Sequence, residues 1–235
     1  MLEELKERVL EANLELVRKG LVILTFGNVS GIDRAAGLIA IKPSGVSYEA
    51  MKTEDLVLVN LEGRTVEGKL RPSSDTPTHL ALYQAFPEIG GISHAHSPTA
   101  TAFAQAVAEI PCLGTTHADH FNGPVPVTRF LTKAEVGSDY ERETGRVIVE
   151  RFAALKLKPL EMPAVLVAGH GPFTWGRTPA EAVEHALILE TVAAIALQTR
   201  QIDPETIRLP TYLRDKHHQR KHGPEAYYGQ RKEKP

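Results

Sequence analysis

The chain reads as one α/β domain of three layers, α/β/α, with a mixed, largely antiparallel central sheet. Three observations predict this. A length of 235 residues with 42% hydrophobic content suffices for one large core. Short apolar runs of strand length, divided by Gly, Pro and Asn, occupy much of the chain. Segments with helical periodicity precede, interrupt and follow them, and helices on both faces of a sheet are the stable way to bury such a set.

Leu2, Leu5, Val9, Ala12 and Leu16 fall at helical spacing, with Gly20 as a stop. Leu21 to Thr25 reads as a strand. Gly27-Asn28 turns the chain into Val29 to Asp33, and Ala36-Gly37 turns it again into Leu38 to Ile41. A loop, Lys42-Pro43-Ser44-Gly45, precedes a strand from Leu56 to Leu61. Asp75 or Thr76 can N-cap a helix that has Pro77 in its first turn and ends near Phe86. Gly91 to His96 is a strand, and Pro98 to about Ala108 a helix. Thr115 to Val127 reads as loop and short strand, Tyr140 to Leu155 as helix, and Ala164 to Ala168 as a buried strand. Thr178-Pro179-Ala180-Glu181 is a capping box. The helix it opens carries Ala182, His185, Leu189, Val192 and Ala196 on one stripe.

A net charge of −2 argues against a nucleic-acid binder. No apolar run approaches the roughly 20 residues of a membrane span. The charged opening, Met1 to Lys6, lacks a signal-peptide core. A single cysteine, Cys112, suits a reducing compartment. A cytoplasmic protein is therefore expected. The charge is uneven: residues 214–235 hold seven Lys/Arg, three Asp/Glu and three His. That basic end is either a solvated tail or a means of gathering an anionic substrate.

Two residues apart on a strand, His94 and His96 point the same way. A third imidazole, His170, lies in Gly169-His170-Gly171, where the glycines permit a sharp turn and close metal approach. Three ligands with an open position suit a catalytic rather than a structural metal. Gly27-Asn28, Ser44-Gly45 and Ser73-Ser74 offer backbone and side-chain donors, and the last pair precedes a helix N-terminus. Such loops suit a phosphorylated small molecule. Asp75 is open to three roles: helix cap, metal ligand or acid/base. Asp119 sits in a loop with no capping task. His79 receives no role, and His185 reads as a hydrogen-bonded core residue. Tyr227-Tyr228 in the basic end reads as an element that docks onto the body or a neighbouring subunit.

These motifs together resemble the class II aldolase/epimerase family. They are Gly27 to Ser30, Lys42 to Gly45, Pro72 to His79, His94 to His96, Thr115 to Asp119 and Gly169 to Phe173. The segments Asp215 to His217, Arg220 to Gly223 and Ala226 to Gln230 match its epimerase branch. The resemblance spans residues 1–230 as one domain and leaves 231–235 as a disordered extension. It implies a metal-dependent isomerase of carbohydrate metabolism. That enzyme interconverts L-ribulose 5-phosphate and D-xylulose 5-phosphate by breaking and re-forming the C3–C4 bond.

By resemblance His94, His96 and His170 ligate Zn²⁺ or another divalent ion, with Asp75 as fourth ligand or close partner. Gly27, Asn28, Lys42, Ser44, Gly45, Ser73 and Ser74 bind the sugar phosphate. Asp119 and Tyr228 serve as the acid/base pair, supported by Thr115 and His217. The family's active sites lie between subunits of a homotetramer. Two alternatives stand beside this: a class II sugar-phosphate aldolase, whose known members carry glutamate where Asp75 stands, and a non-catalytic scaffold lacking the metal histidines. His120 departs from the aromatic residue expected after Asp119.

Overall fold

The computed structural model describes residues 2–223 and 226–228. Seven strands form one sheet in the order β4-β3-β2-β1-β5-β7-β6. They are β1 (Asn28–Asp33), β2 (Leu38–Ile41), β3 (Val57–Asn60), β4 (Thr65–Glu67), β5 (Gly91–His94), β6 (Ala164–Val167) and β7 (Gly171–Gly176). Every adjacent pair is antiparallel. The parallel share of the mixed sheet is one isolated bridge, Val127 to Leu166.

Helices cover both faces. On one lie α1 (Leu2–Arg18) and α7 (Pro179–Ile202). Alternation along β1 explains why they sit there. Val29 packs with Leu16, Val183 and Ala186, while the next residue, Ser30, points to the opposite face and bonds His79 and Tyr83. That face carries α2 (Thr76–Ala85) and α6 (Tyr140–Leu155), and its core includes Phe86, Phe152 and Trp175. The remaining helices are short: α3 (Pro98–Gln105), α4 (Thr115–Ala118), α5 (Lys133–Ser138) and α8 (Thr211–His222).

Several expectations need correction. Leu21 to Thr25 is not a strand. β1 already has β2 on one edge and β5 on the other, so no edge remains for it. The segment turns instead, with Leu24 at φ 54° and Ile23 and Leu24 facing solvent. β5 ends at His94, two residues earlier than expected, so His96 lies beyond the strand. Thr115 opens a helical turn within the stretch read as loop. β4, α5, β7 and α8 are absent from the sequence reading. β7 is buried on both sides and so shows no polar alternation. Residues 214–222 of the basic end belong to α8. Residues 231–235 lie outside the described residues.

Candidate active site

His94 ends β5, beside Phe173 of β7 and opposite Asn28 of β1. Its ring stacks on Phe173 at 4.1 Å between centroids, with the planes 15° apart. Its Nδ1 bonds the Pro172 carbonyl oxygen at 2.9 Å, which requires the proton on Nδ1 and leaves Nε2 as a free lone pair. That Nε2 lies 3.1 Å from Nε2 of His96. His170 reaches the same point from a turn in which Gly169 takes φ 70°. The ligand atoms of His94, His96 and His170 all lie within 4.8 Å of one another.

Burial holds all three imidazoles below the usual histidine range, His94 at about 4. They are neutral at pH 7, as metal ligation requires. Converging lone pairs on neutral rings repel one another unless a proton or a cation lies between them. The donor set therefore fits a divalent metal. Histidine ligands suit zinc, although the geometry of three imidazoles does not by itself select it.

Asp75 occupies the N-cap position of α2 but its side chain makes no cap bond. Its carboxylate accepts from Asn28 Nδ2 at 2.6 Å instead. It borders the three imidazoles without belonging to their closely spaced ligand set. Burial pushes this carboxyl up, yet the neighbouring His94 and His79 and the Asn28 amide leave it net lowered. Asn28 was expected as an anion donor. Asp75 takes one of its two amide N–H donors, and Oδ1 is buried without a partner among the described residues. The second N–H can still serve an anion, while the oxygen can accept from a sugar hydroxyl.

These residues share a cavity of about 510 Å³ with Gly27, Lys42, Ser44, Gly45, Ser73 and Ser74. Two loops form its floor and are tied together. Ser73 N–H donates to Lys42 O at 3.0 Å, Ser44 N–H to Arg71 O at 2.9 Å, and Pro43 bridges to Pro72. Lys42 is buried, and its ammonium donates to Val46 O at 2.9 Å and lies 4.8 Å from the Tyr48 ring centroid. Burial lowers its pKa. Among the described residues its hydrogen-bond partners are backbone carbonyls and no carboxylate, which leaves its charge available to an anion. A larger groove, about 830 Å³ between α1 and α7, holds no histidine.

The other predicted residues lie elsewhere in the chain. Thr115, Asp119, His217 and Tyr228 do not line the cavity. Asp119, at the C-terminal end of α4, receives Arg220 Nε at 2.9 Å and Nη2 at 2.6 Å, and His217 Nδ1 at 3.0 Å, all from α8. Burial pushes its carboxyl up, but the bonds from Arg220 and His217 and the charges of Arg220 and Lys221 hold it below the usual carboxylate range. Tyr228 is exposed, with its ring over Arg220 and Lys221. Thr115 O accepts from Asp119 N–H at 2.9 Å. His120 lies 3.1 Å from Lys221 Nζ, and burial drives its pKa to about 4.

Sequence reasoning missed several neighbours. Tyr140 and Glu141 open α6 and line the cavity, with Tyr140 OH 3.4 Å from His170 Nδ1. Their helix start was legible, but its position beside His170 was not. His79, left without a role, is fully buried beneath Asp75 and bonds Ser30 Oγ at 2.7 Å. His185 Nδ1 bonds Trp175 O at 2.7 Å, as a core histidine should.

A triple-imidazole centre beside donor-bearing loops, on an antiparallel sheet between helices, defines a metal-dependent α/β enzyme shaped for an anionic small molecule. The chain belongs to the family described as class II aldolase and adducin N-terminal domain, whose model matches residues 7–197. It is 52% identical over 230 residues to L-ribulose-5-phosphate 4-epimerase UlaF of Salmonella paratyphi B, covering 98% of this chain and 100% of that one. The same identity and coverage hold for UlaF of Salmonella typhi. Among solved structures, an L-fuculose 1-phosphate aldolase superposes with a TM-score of 0.76 at 27% identity, covering 91% of this chain and 94% of the other. The L-fuculose-1-phosphate aldolase of Thermus thermophilus gives 0.65 at 26% identity, covering 87% and 98%.

Proposed function

We propose that the protein is a zinc-dependent epimerase that interconverts L-ribulose 5-phosphate and D-xylulose 5-phosphate. The observation that carries this reading is one cavity joining three converging imidazoles to three donor-bearing loops. Full-length similarity to the UlaF epimerases favours the pentose 5-phosphate over other sugar phosphates. Aspartate at position 75 favours epimerisation over the aldolase alternative, because its short carboxylate is engaged by Asn28. All three metal histidines are present, which disfavours a scaffold.

C4 is not adjacent to the ketose carbonyl, so simple deprotonation cannot invert it. Breaking C3–C4 can. A base removes the C4 hydroxyl proton, the O–H electrons form the aldehyde, and the C3–C4 pair enters the enediolate of dihydroxyacetone. Glycolaldehyde phosphate then rotates, the enediolate attacks its other face, and an acid returns a proton to the C4 oxygen. His94, His96 and His170, with Asp75 beside them, would hold a divalent ion, which would supply Lewis acidity at the carbonyl end.

The loops of Gly27, Ser44, Gly45, Ser73 and Ser74, with Lys42 behind them, retain the phosphate while the fragment turns. Asn28 Oδ1 accepts from a sugar hydroxyl. Asp119, kept ionised by Arg220 and His217, serves one face of C4, and Tyr228 the other. Thr115 anchors the turn that carries Asp119. Because Asp119 and Tyr228 lie outside this chain's own cavity, a second copy must bring them to it, which supports sites between subunits, as in the homotetramer that the family resemblance implies. The lone buried cysteine, Cys112, supports a cytoplasmic setting.

The test is ¹³C NMR of zinc-loaded protein with L-ribulose 5-phosphate. D-xylulose 5-phosphate without accumulating dihydroxyacetone is expected. Accumulating fragments move the assignment to an aldolase, and unchanged substrate moves it to another sugar phosphate.

A further inference from the structure

We infer that Arg220 is a positioning residue that holds Asp119 and Tyr228 together as one acid/base unit. The inference rests on the acid/base reading of those two residues and gives Arg220 a task beyond keeping Asp119 ionised. One guanidinium makes both contacts. Its edge presents Nε and Nη2 to the two oxygens of Asp119, at 2.9 and 2.6 Å. Its central carbon, Cζ, lies over the Tyr228 ring, 4.8 Å from the centroid. The Arg220 backbone joins in as well: its carbonyl accepts from Tyr228 N–H at 3.1 Å and from Tyr227 N–H at 3.0 Å. A planar fork can bind a carboxylate at its edge and an aromatic ring on its face at once, which an ammonium cannot do.

The geometry has a chemical consequence. An acid and a base serving opposite faces of one carbon must keep a fixed separation, or one of them loses reach of the oxygen. Asp119 belongs to α4 and Tyr228 follows α8, so a side chain bridging them sets that separation. The bidentate contact also leaves the carboxylate oriented and ionised. The other groups facing Asp119 are His217 at Oδ1, His222 Nε2 on its backbone oxygen at 2.8 Å, and Lys221 nearby. On its own element His117 bonds Gly123 O and turns away, while His120 faces Lys221 and His185 of α7. Among these, Arg220 makes the two-point contact and the ring contact together.

The experiment uses metal-loaded full-length protein and compares wild type with Arg220→Gln, Arg220→Lys and Asp119→Asn. Two readouts are taken: the ¹³C titration of the Asp119 carboxyl, identified by its loss in Asp119→Asn, and the pH profile of kcat/KM. Arg220→Gln should raise the carboxyl titration and move the acid limb of kcat/KM upward with it. Its kcat should fall about ten- to a hundredfold, the scale of a misplaced reacting group. Arg220→Lys should restore part of the titration but not kcat, since charge returns without the fork. If Arg220→Gln does not fold, the Lys variant alone decides through that split.

A kinetic limb that stays fixed while the carboxyl titration moves overturns the proposal and leaves Arg220 a structural ion pair. An unmoved carboxyl overturns it too. Wild-type turnover in Asp119→Asn is a different failure, one that removes the acid/base reading beneath it.

Discussion

Gly27 and Gly45 form a matched pair for separating backbone strain from steric contact. Both lie on the cavity wall, at φ 74° and 70°. An added Cβ at Gly45 meets nothing within 4 Å. At Gly27 it would sit 2.8 Å from the backbone oxygen of His94 and 2.7 Å from Val22 Cγ1. Gly45→Ala should therefore cost only the left-handed penalty, about 1–2 kcal/mol. Gly27→Ala adds overpacking of about 1–3 kcal/mol. In a chain of 235 residues, each kcal/mol lowers Tm by about 2–4 °C. The Gly27 variant should thus melt about 2–12 °C below the Gly45 variant.

The contact falls on His94 itself, so metal affinity should fall with stability in Gly27→Ala and not in Gly45→Ala. Thermal melts of metal-stripped protein and chelator competition on loaded protein measure the two effects. Stripping is needed because bound metal adds its own stabilisation. Equal melting temperatures, or wild-type metal affinity in Gly27→Ala, would refute the argument that His94 is placed by close approach of the Gly27 backbone.

His96→Ala should lose metal and activity together, and stoichiometric metal by elemental analysis would remove His96 from the ligand set. Asp119→Asn and Tyr228→Phe should keep fold and metal yet lose about 10²-fold or more in turnover, the scale of general acid–base catalysis; wild-type kcat in either contradicts its role. Ser74→Ala should chiefly raise KM, because a phosphate contact is made in ground and transition states alike, and an unchanged KM places the phosphate elsewhere. Acid should destabilise the protein. Burial lowers His79 to about 3 and His117 to about 4, so between the ordinary histidine value and these the unfolded chain binds more protons. Their stabilisation is complete above about pH 6.5 and is lost as pH falls toward 4, at up to about 1.4 kcal/mol per pH unit for each. A Tm that stays level from pH 6.5 to 4.5 counts against this.

The parts of the molecule legible in the chain are those that local chemistry dictates. The periodicity of α1, the Thr178 N-cap of α7 and the proline in the first turn of α2 are each written within a few residues; the Glu181 carboxylate meets Arg177 N–H and so does not complete the expected capping box. The convergence of His94, His96 and His170 is legible too, since the His-x-His spacing and the glycines around His170 point to it. What the chain alone misstated was the strand's end: β5 stops at His94. His96 lies beyond it, and the two Nε2 atoms are 3.1 Å apart.

Everything that sets the state of those side chains comes from far along the sequence. The carbonyl that fixes the His94 tautomer belongs to Pro172, 78 positions away. One of the two amide donors of Asn28 is taken by Asp75, 47 positions on. Residues 214–222 form the part of α8 that grips Asp119 from about 100 positions away. Spacing along a chain reports which groups can share a face of one element. Only packing of distant elements decides which lone pair, proton or charge each group has left to offer.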